Sequence, residues 1–151
     1  MNRRFGNWPK PGQPHPPRPG VYAIIDAGDG LLASFQEAPV PELQLPGGGI
    51  DPGEQPLAAL HREVMEETGY RIHSLRRLGM FHRYTFMPDY DRYAQKQCHI
   101  YTARLGRRWS APTEPGHTAV FLPWDVAAEK LAVSGDRHFL ARYLKGRARR
   151  S

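Results

Sequence analysis

Residues 48–70, GGIDPGEQPLAALHREVMEETGY, limit the fold more than any other part of this chain. Pro56 and Gly69 bracket a helical pattern. Proline is tolerated in a first helical turn, where its missing N–H has no intrahelical partner, and glycine suits the residue that ends a helix. Leu57, Leu60, His61 and Val64 form an apolar stripe that predicts one face packed on a sheet. Glu63, Glu66 and Glu67 fall at i, i+3 and i+4 and share a face, and the stripe is expected to centre well away from them. Three like charges repel, so a purely structural helix gains nothing from this arrangement. A bound divalent cation would remove the penalty, and hard carboxylate oxygens suit Mg²⁺ or Mn²⁺.

The rest of the chain supplies a basic setting for this acidic segment. Residues 51–67 carry a net charge of −4, which leaves +10 for the remainder of a chain whose total is +6. Acids that hold a cation, surrounded by bases that attract an anion, suit a metal and polyphosphate pair. The length of 151 residues predicts one domain. No apolar run approaches the length of a bilayer span, and no secretory leader is recognisable, so no membrane association is expected. A single cysteine, Cys98, has no intramolecular partner, which predicts a reducing, cytoplasmic location.

Residues 1–20 hold six prolines, three glycines, four bases and no acid. They read as an extended or flexible basic arm, unable to form a helix or an inner strand. Residues 21–26 and 31–36 flank a Gly-Asp-Gly turn and predict a β-hairpin. Longer strands are expected over 72–86 and 97–105 with a loop at 87–93, and a short strand over 117–122. Residues 124–131 and 137–144 have helical spacing. The domain is taken as 21–145, and 146–151 as a basic tail that frays. Interleaved strands and helices make this an α/β chain with a mixed sheet between helices.

The residues Gly48, Glu54, Arg62-Glu63-Val64, Glu66-Glu67, Gly69 and Tyr70 resemble the signature of the Nudix hydrolases, with five residues separating Gly48 from Glu54 and seven separating Glu54 from Arg62. Tyr70 stands where an aliphatic residue is usual. The resemblance implies an α/β/α sandwich carrying a loop–helix–loop metal site, and hydrolysis of a nucleoside diphosphate linked to a group X. By position, Glu66 and Glu67 are similar to the principal metal ligands, and Glu63 to a further ligand or the base. Arg62 is similar to the residue that orients a catalytic glutamate, and Glu54 to its structural partner. The loop at Gly48 is where a main-chain carbonyl ligand is expected. Glu114 is a second candidate base, on a later loop, and Arg83, Tyr84 and Glu114 are candidate substrate contacts.

No subclass motif names X. Pro88 stands 18 residues past Tyr70, a poor fit to the proline of ADP-ribose enzymes, and Tyr84 and Tyr90 straddle the tyrosine spacing of dinucleoside polyphosphate enzymes. The expected partner is a small nucleotide, acted on by a monomer or homodimer. The basic arm and tail keep open an RNA 5′ pyrophosphohydrolase. A non-catalytic nucleotide-binding module is the remaining alternative.

Overall fold

The strand after the proline-rich segment alternates in the way a sheet buried on both faces requires. Val21, Ala23 and Ile25 point to one side and Tyr22 and Ile24 to the other. The structure, a computed structural model, describes residues 3–150. Its strands are β1 (Arg3–Arg4), β2 (Pro17–Asp26), β3 (Gly30–Gln36), β4 (Glu42–Gln44), β5 (Gly47–Gly49), β6 (Tyr70–Met87), β7 (Arg92–Arg108) and β8 (His117–Pro123). Its helices are α1 (Pro56–Thr68), α2 (Trp124–Lys130) and α3 (Ser134–Arg150), with one 3₁₀ turn at Pro88–Tyr90.

The strands form one mixed sheet in the order β1-β6-β7-β2-β3-β4, with β5 on β2 and β8 on β3. β2 runs parallel to β7 and β1 parallel to β6; the other pairs are antiparallel. β2 and β3 pair only where the hairpin turns, at Ile25↔Leu32 and Asp26↔Leu31. Beyond that they diverge, and β4 and β5 enter the wedge: Gly48 faces Val21 while Leu43 faces Phe35. This split opens the sheet beside α1. Ala59, Leu60 and Val64 of α1 cover one face, over Val21, Ala23, Ile25 and Leu32. α2 and α3 cover the other through Ala127, Phe139 and Leu140, over Ile24, Leu31, Phe81 and Ile100. The α/β/α sandwich is thus as expected.

The helix ends fall where Pro56 and Gly69 predict them, with Gly69 at φ 78°. The stripe does not fall as predicted. Leu57 is 46% exposed and His61 is exposed, while Glu67 is 7% exposed. At about 100° per residue Glu67 lies within about 20° of Leu60, so it occupies the packed face and not the charged one.

Composition also misplaces both ends. Residues 17–20 belong to inner strand β2, and Arg3 and Arg4 form β1. The prolines are admissible because backbone direction alternates along a strand. The Pro16 carbonyl accepts from the Gln95 N–H on the β7 side, whereas the Pro19 carbonyl accepts from the Ile50 N–H on the other. The N–H groups missing from Pro17 and Pro19 therefore subtract nothing from the β2–β7 ladder. At the far end, residues 146–150 continue α3 in place of a frayed tail. Among the described residues no helix is long and apolar enough to cross a membrane.

Candidate active site

Arg62 is the hub of the charged face of α1. Its Nε and Nη2 donate to the two oxygens of Glu54 at 2.7 and 2.9 Å, a two-pronged pairing that matches guanidinium and carboxylate geometry. Nη1 reaches Glu63 at 3.1 Å and Glu66 at 3.2 Å, and Nη2 the Gly49 carbonyl at 3.3 Å. The side-chain bonds from Arg62 hold the Glu54 carboxyl down to about 2. Glu54 also accepts from the Asp51 N–H, closing the turn before the helix.

Glycine lets β5 lie against this cluster. A Cβ on Gly48 would stand 2.6 Å from the Glu63 carboxyl carbon, so a side chain there would expel the glutamate. Glu67 accepts from the Gly47 N–H at 3.3 Å. Burial, and secondarily Glu63, pushes its carboxyl up to about 8. Burial likewise raises Glu63, against the pull of Arg62. Behind Glu67, the Ser34 hydroxyl and His117 Nδ1 lie 2.9 Å apart, and His117 stands 4.0 Å from Glu67.

Gly69 turns the chain so that residues 109–116 close over the C-terminal end of α1. The N–H groups of Trp109 and Ser110 bond to the Gly69 carbonyl, and those of Thr113 and Glu114 to the Glu66 carbonyl at 2.8 and 2.9 Å. This satisfies carbonyls that a helix end leaves open. It also brings Glu114 near enough for its charge to raise both Glu63 and Glu67.

A NUDIX domain model matches residues 16–143, most of the chain. The chain belongs to the Nudix family. A relative described as an RNA pyrophosphohydrolase from Cereibacter sphaeroides is 46% identical over 36% of this chain and 35% of its own length. Another so described, from Mesorhizobium japonicum, is 32% identical over 72% of this chain and 75% of its own. The chain thus matches about a third of the length of the first and three quarters of the second. A solved Nudix hydrolase from Nitrosomonas europaea superposes with a TM-score of 0.71, at 20% identity, over 86% of this chain and 90% of that one.

The Nudix carboxylates fit a divalent cation in donor chemistry. Glu63 and Glu67 are acids folded away from water whose ionised forms need a positive partner, and the ions that oxygen donors prefer are hard ones. As folded, that partner is Arg62 for Glu63 and Glu66. Among the described residues no three His, Cys, Asp or Glu side chains converge closely enough to chelate an ion.

Of the predicted substrate contacts, Arg83 lines a cavity of about 220 Å³ that also touches Glu67 and Gly47–Gly49. Tyr84 does not line it; as the next residue on β6 it points to the opposite face, against His15 and His82. Ser34, His117, Arg18, Lys96 and Asp136 were not anticipated in or beside this site. They come from four different strands and a helix, with no fixed spacing, and only the strand pairings assemble them.

Proposed function

We propose that this Nudix protein hydrolyses the pyrophosphate linkage of a nucleoside diphosphate joined to a group X. Glu63, Glu66, Glu67 and a main-chain carbonyl of the Gly48 loop would hold Mg²⁺ or Mn²⁺. When bound, such an ion offsets phosphate charge and lowers the pKa of the attacking water. The observation that carries this reading is the Arg62 hub, which ties Glu54 of the preceding turn to Glu63 and Glu66 on α1, beside the buried Glu67.

The chain's own groups have distinct tasks. Arg62 positions Glu63 and Glu66. Glu63, where it is not itself a ligand, is the base that takes a proton from water. Glu114, on the loop that docks on the end of α1, is the second candidate for that base. Gly47–Gly49 let backbone, not side chain, face the diphosphate. Two relatives named RNA pyrophosphohydrolases favour a second reading, in which X belongs to an RNA 5′ end. Cys98, free and buried, supports a reducing cytoplasm, and the unit is taken to be a monomer or homodimer.

The deciding experiment is Glu67→Gln, assayed with Mg²⁺ and Mn²⁺ against nucleotide sugars, ADP-ribose, dinucleoside polyphosphates, nucleoside triphosphates and 5′-triphosphorylated RNA. Loss of one electrostatic stabiliser of this kind costs roughly 100–1,000-fold in rate. Full turnover by the folded variant overturns the reading. So does wild-type protein that binds these nucleotides and releases no product, which would leave a binding module.

A further inference from the structure

Strand register brings three cations into one row. Arg83 of β6 stands opposite Lys96 of β7, and Lys96 stands opposite Arg18 of β2. Adjacent strands lie about 4.8 Å apart, and like charges directly opposite one another destabilise a sheet. One step along the same face, the row is Phe81, Cys98 and Gly20, all buried. Phe81 stacks on Phe139 of α3. The charged row begins where that cover ends.

The three cations lack close counterions. Among the described residues no carboxylate comes within ion-pairing distance of Arg18, Lys96 or Arg83. Asp136 and Glu42 act on Arg83 and Lys96 only at longer range. The Nε of Arg83 is buried with no hydrogen-bond partner. Burial, and then Arg83, lowers the proton affinity of Lys96. Arg83 and Lys96 are thus partly buried bases, while Arg18 is exposed at the end of the row, over the Tyr90 ring at 5.0 Å. All three line the same cavity as Glu67 and Gly47–Gly49, with the buried Asp136 the one carboxyl among the described residues that lines it besides Glu67.

We propose that the Arg83–Lys96–Arg18 row binds a phosphoryl group adjoining the scissile diphosphate, so that X is itself anionic and the substrate is a 5′-triphosphate. This rests on the hydrolase reading of the same cavity. A diphosphate held at the Glu67 end leaves its next substituent at the row. A neutral sugar there would leave Arg83 and Lys96 with only the longer-range charge of Asp136 and Glu42, whereas a third phosphate supplies charge and acceptor oxygens for guanidinium and ammonium alike.

The test is calorimetric binding of inorganic tripolyphosphate and pyrophosphate without metal, to wild type, Arg18→Ala, Lys96→Met, Glu67→Gln and Lys130→Met. Tripolyphosphate is expected to bind wild type more tightly than pyrophosphate. Arg18→Ala and Lys96→Met are each expected to weaken it by roughly 10–100-fold, the worth of one charged hydrogen-bonding partner. Lys130→Met removes the same charge on exposed α2 and should change little. Equal weakening by Lys130→Met, or no preference for tripolyphosphate, overturns the proposal. Arg18 is exposed, so its variant remains informative if Lys96→Met fails to fold. In steady state, GTP and a 5′-triphosphorylated oligoribonucleotide are compared with UDP-glucose. A kcat/KM advantage for either triphosphate that Arg18→Ala diminishes supports the row and names the source; no advantage over UDP-glucose overturns it. Wild-type protein that binds tripolyphosphate through the row but releases product from none of these substrates would instead sink the hydrolase reading while leaving the binding result intact.

Discussion

Arg62 offsets part of the charge of Glu63 and Glu66 on α1 and pairs two-pronged with Glu54 in the turn before it, and this last pairing has a pH signature. In the fold the Glu54 carboxyl stays ionised down to about 2, whereas its ordinary value is 4.5. The contribution of the pairing is therefore complete above 4.5 and is lost as pH falls through about 2. Arg62→Met is expected to lower the melting temperature by several degrees at pH 7. The gap to wild type should narrow steadily between pH 5 and pH 2 in parallel thermal melts, and a constant gap would mean that Arg62 acts only by packing. Glu67→Gln should behave in the opposite sense. A buried acid pushed up to about 8 is costly to ionise, so the amide is expected to melt at or above the wild-type temperature even as turnover collapses. The acidic residues of this site were legible because one helix carries most of them at fixed spacing. The orientation of Glu67 was not, since the stripe was centred on Leu57 and His61, which are exposed, and so away from the packed face that Glu67 occupies. The basic row was invisible because Arg18, Lys96 and Arg83 become neighbours only through register.

α1 shows why some elements read true and others did not. Its bounds were set by local chemistry: Pro56 fits only at a helix start, and Gly69 occupies a backbone conformation that side chains resist. A Cβ on Gly69 would meet the Ser110 carbonyl oxygen at 1.8 Å. Gly69→Ala is accordingly expected to cost at least about 1–2 kcal/mol from backbone strain alone, read as a lowered denaturation midpoint. It should also loosen residues 109–116, which dock on Gly69 and Glu66 and carry Glu114, so hydrogen exchange there should rise. An unchanged midpoint would show that Gly69 is not held in the left-handed conformation. β2 makes the contrary case. Six prolines in residues 1–20 argued against an inner strand. The decisive fact was which side of the strand each missing N–H faces, and that depends on neighbours that composition does not reveal.

Charge links the two ends of the fold. The last turns of α3 return to the turn between β2 and β3. Tyr143 donates to Asp26 at 2.6 Å, Arg147 donates to the same oxygen at 2.8 Å, and Arg147 also reaches the Gly28 carbonyl at 2.7 Å. Burial opposes ionisation of Asp26, but the Tyr143 and Arg147 donors outweigh it and hold the carboxyl below its ordinary range. A basic stretch read in isolation looks like a solvated tail, and only the folded partner converts part of it into a clasp. The Arg147 side chain is 38% exposed, so screening reduces what the pair contributes. Arg147→Ala is expected to cost about 1 kcal/mol, or roughly 3 °C in melting temperature for a domain of this size. The loss should be full at neutral pH, since Asp26 contributes above its ordinary value of 3.8 and less as pH falls through its lowered one. A double-mutant cycle with Asp26→Asn isolates the pair. Additive losses would show that the Asp26–Arg147 pair contributes nothing to holding α3, which would then rest on its apolar contacts and on the Arg147 bond to the Gly28 carbonyl.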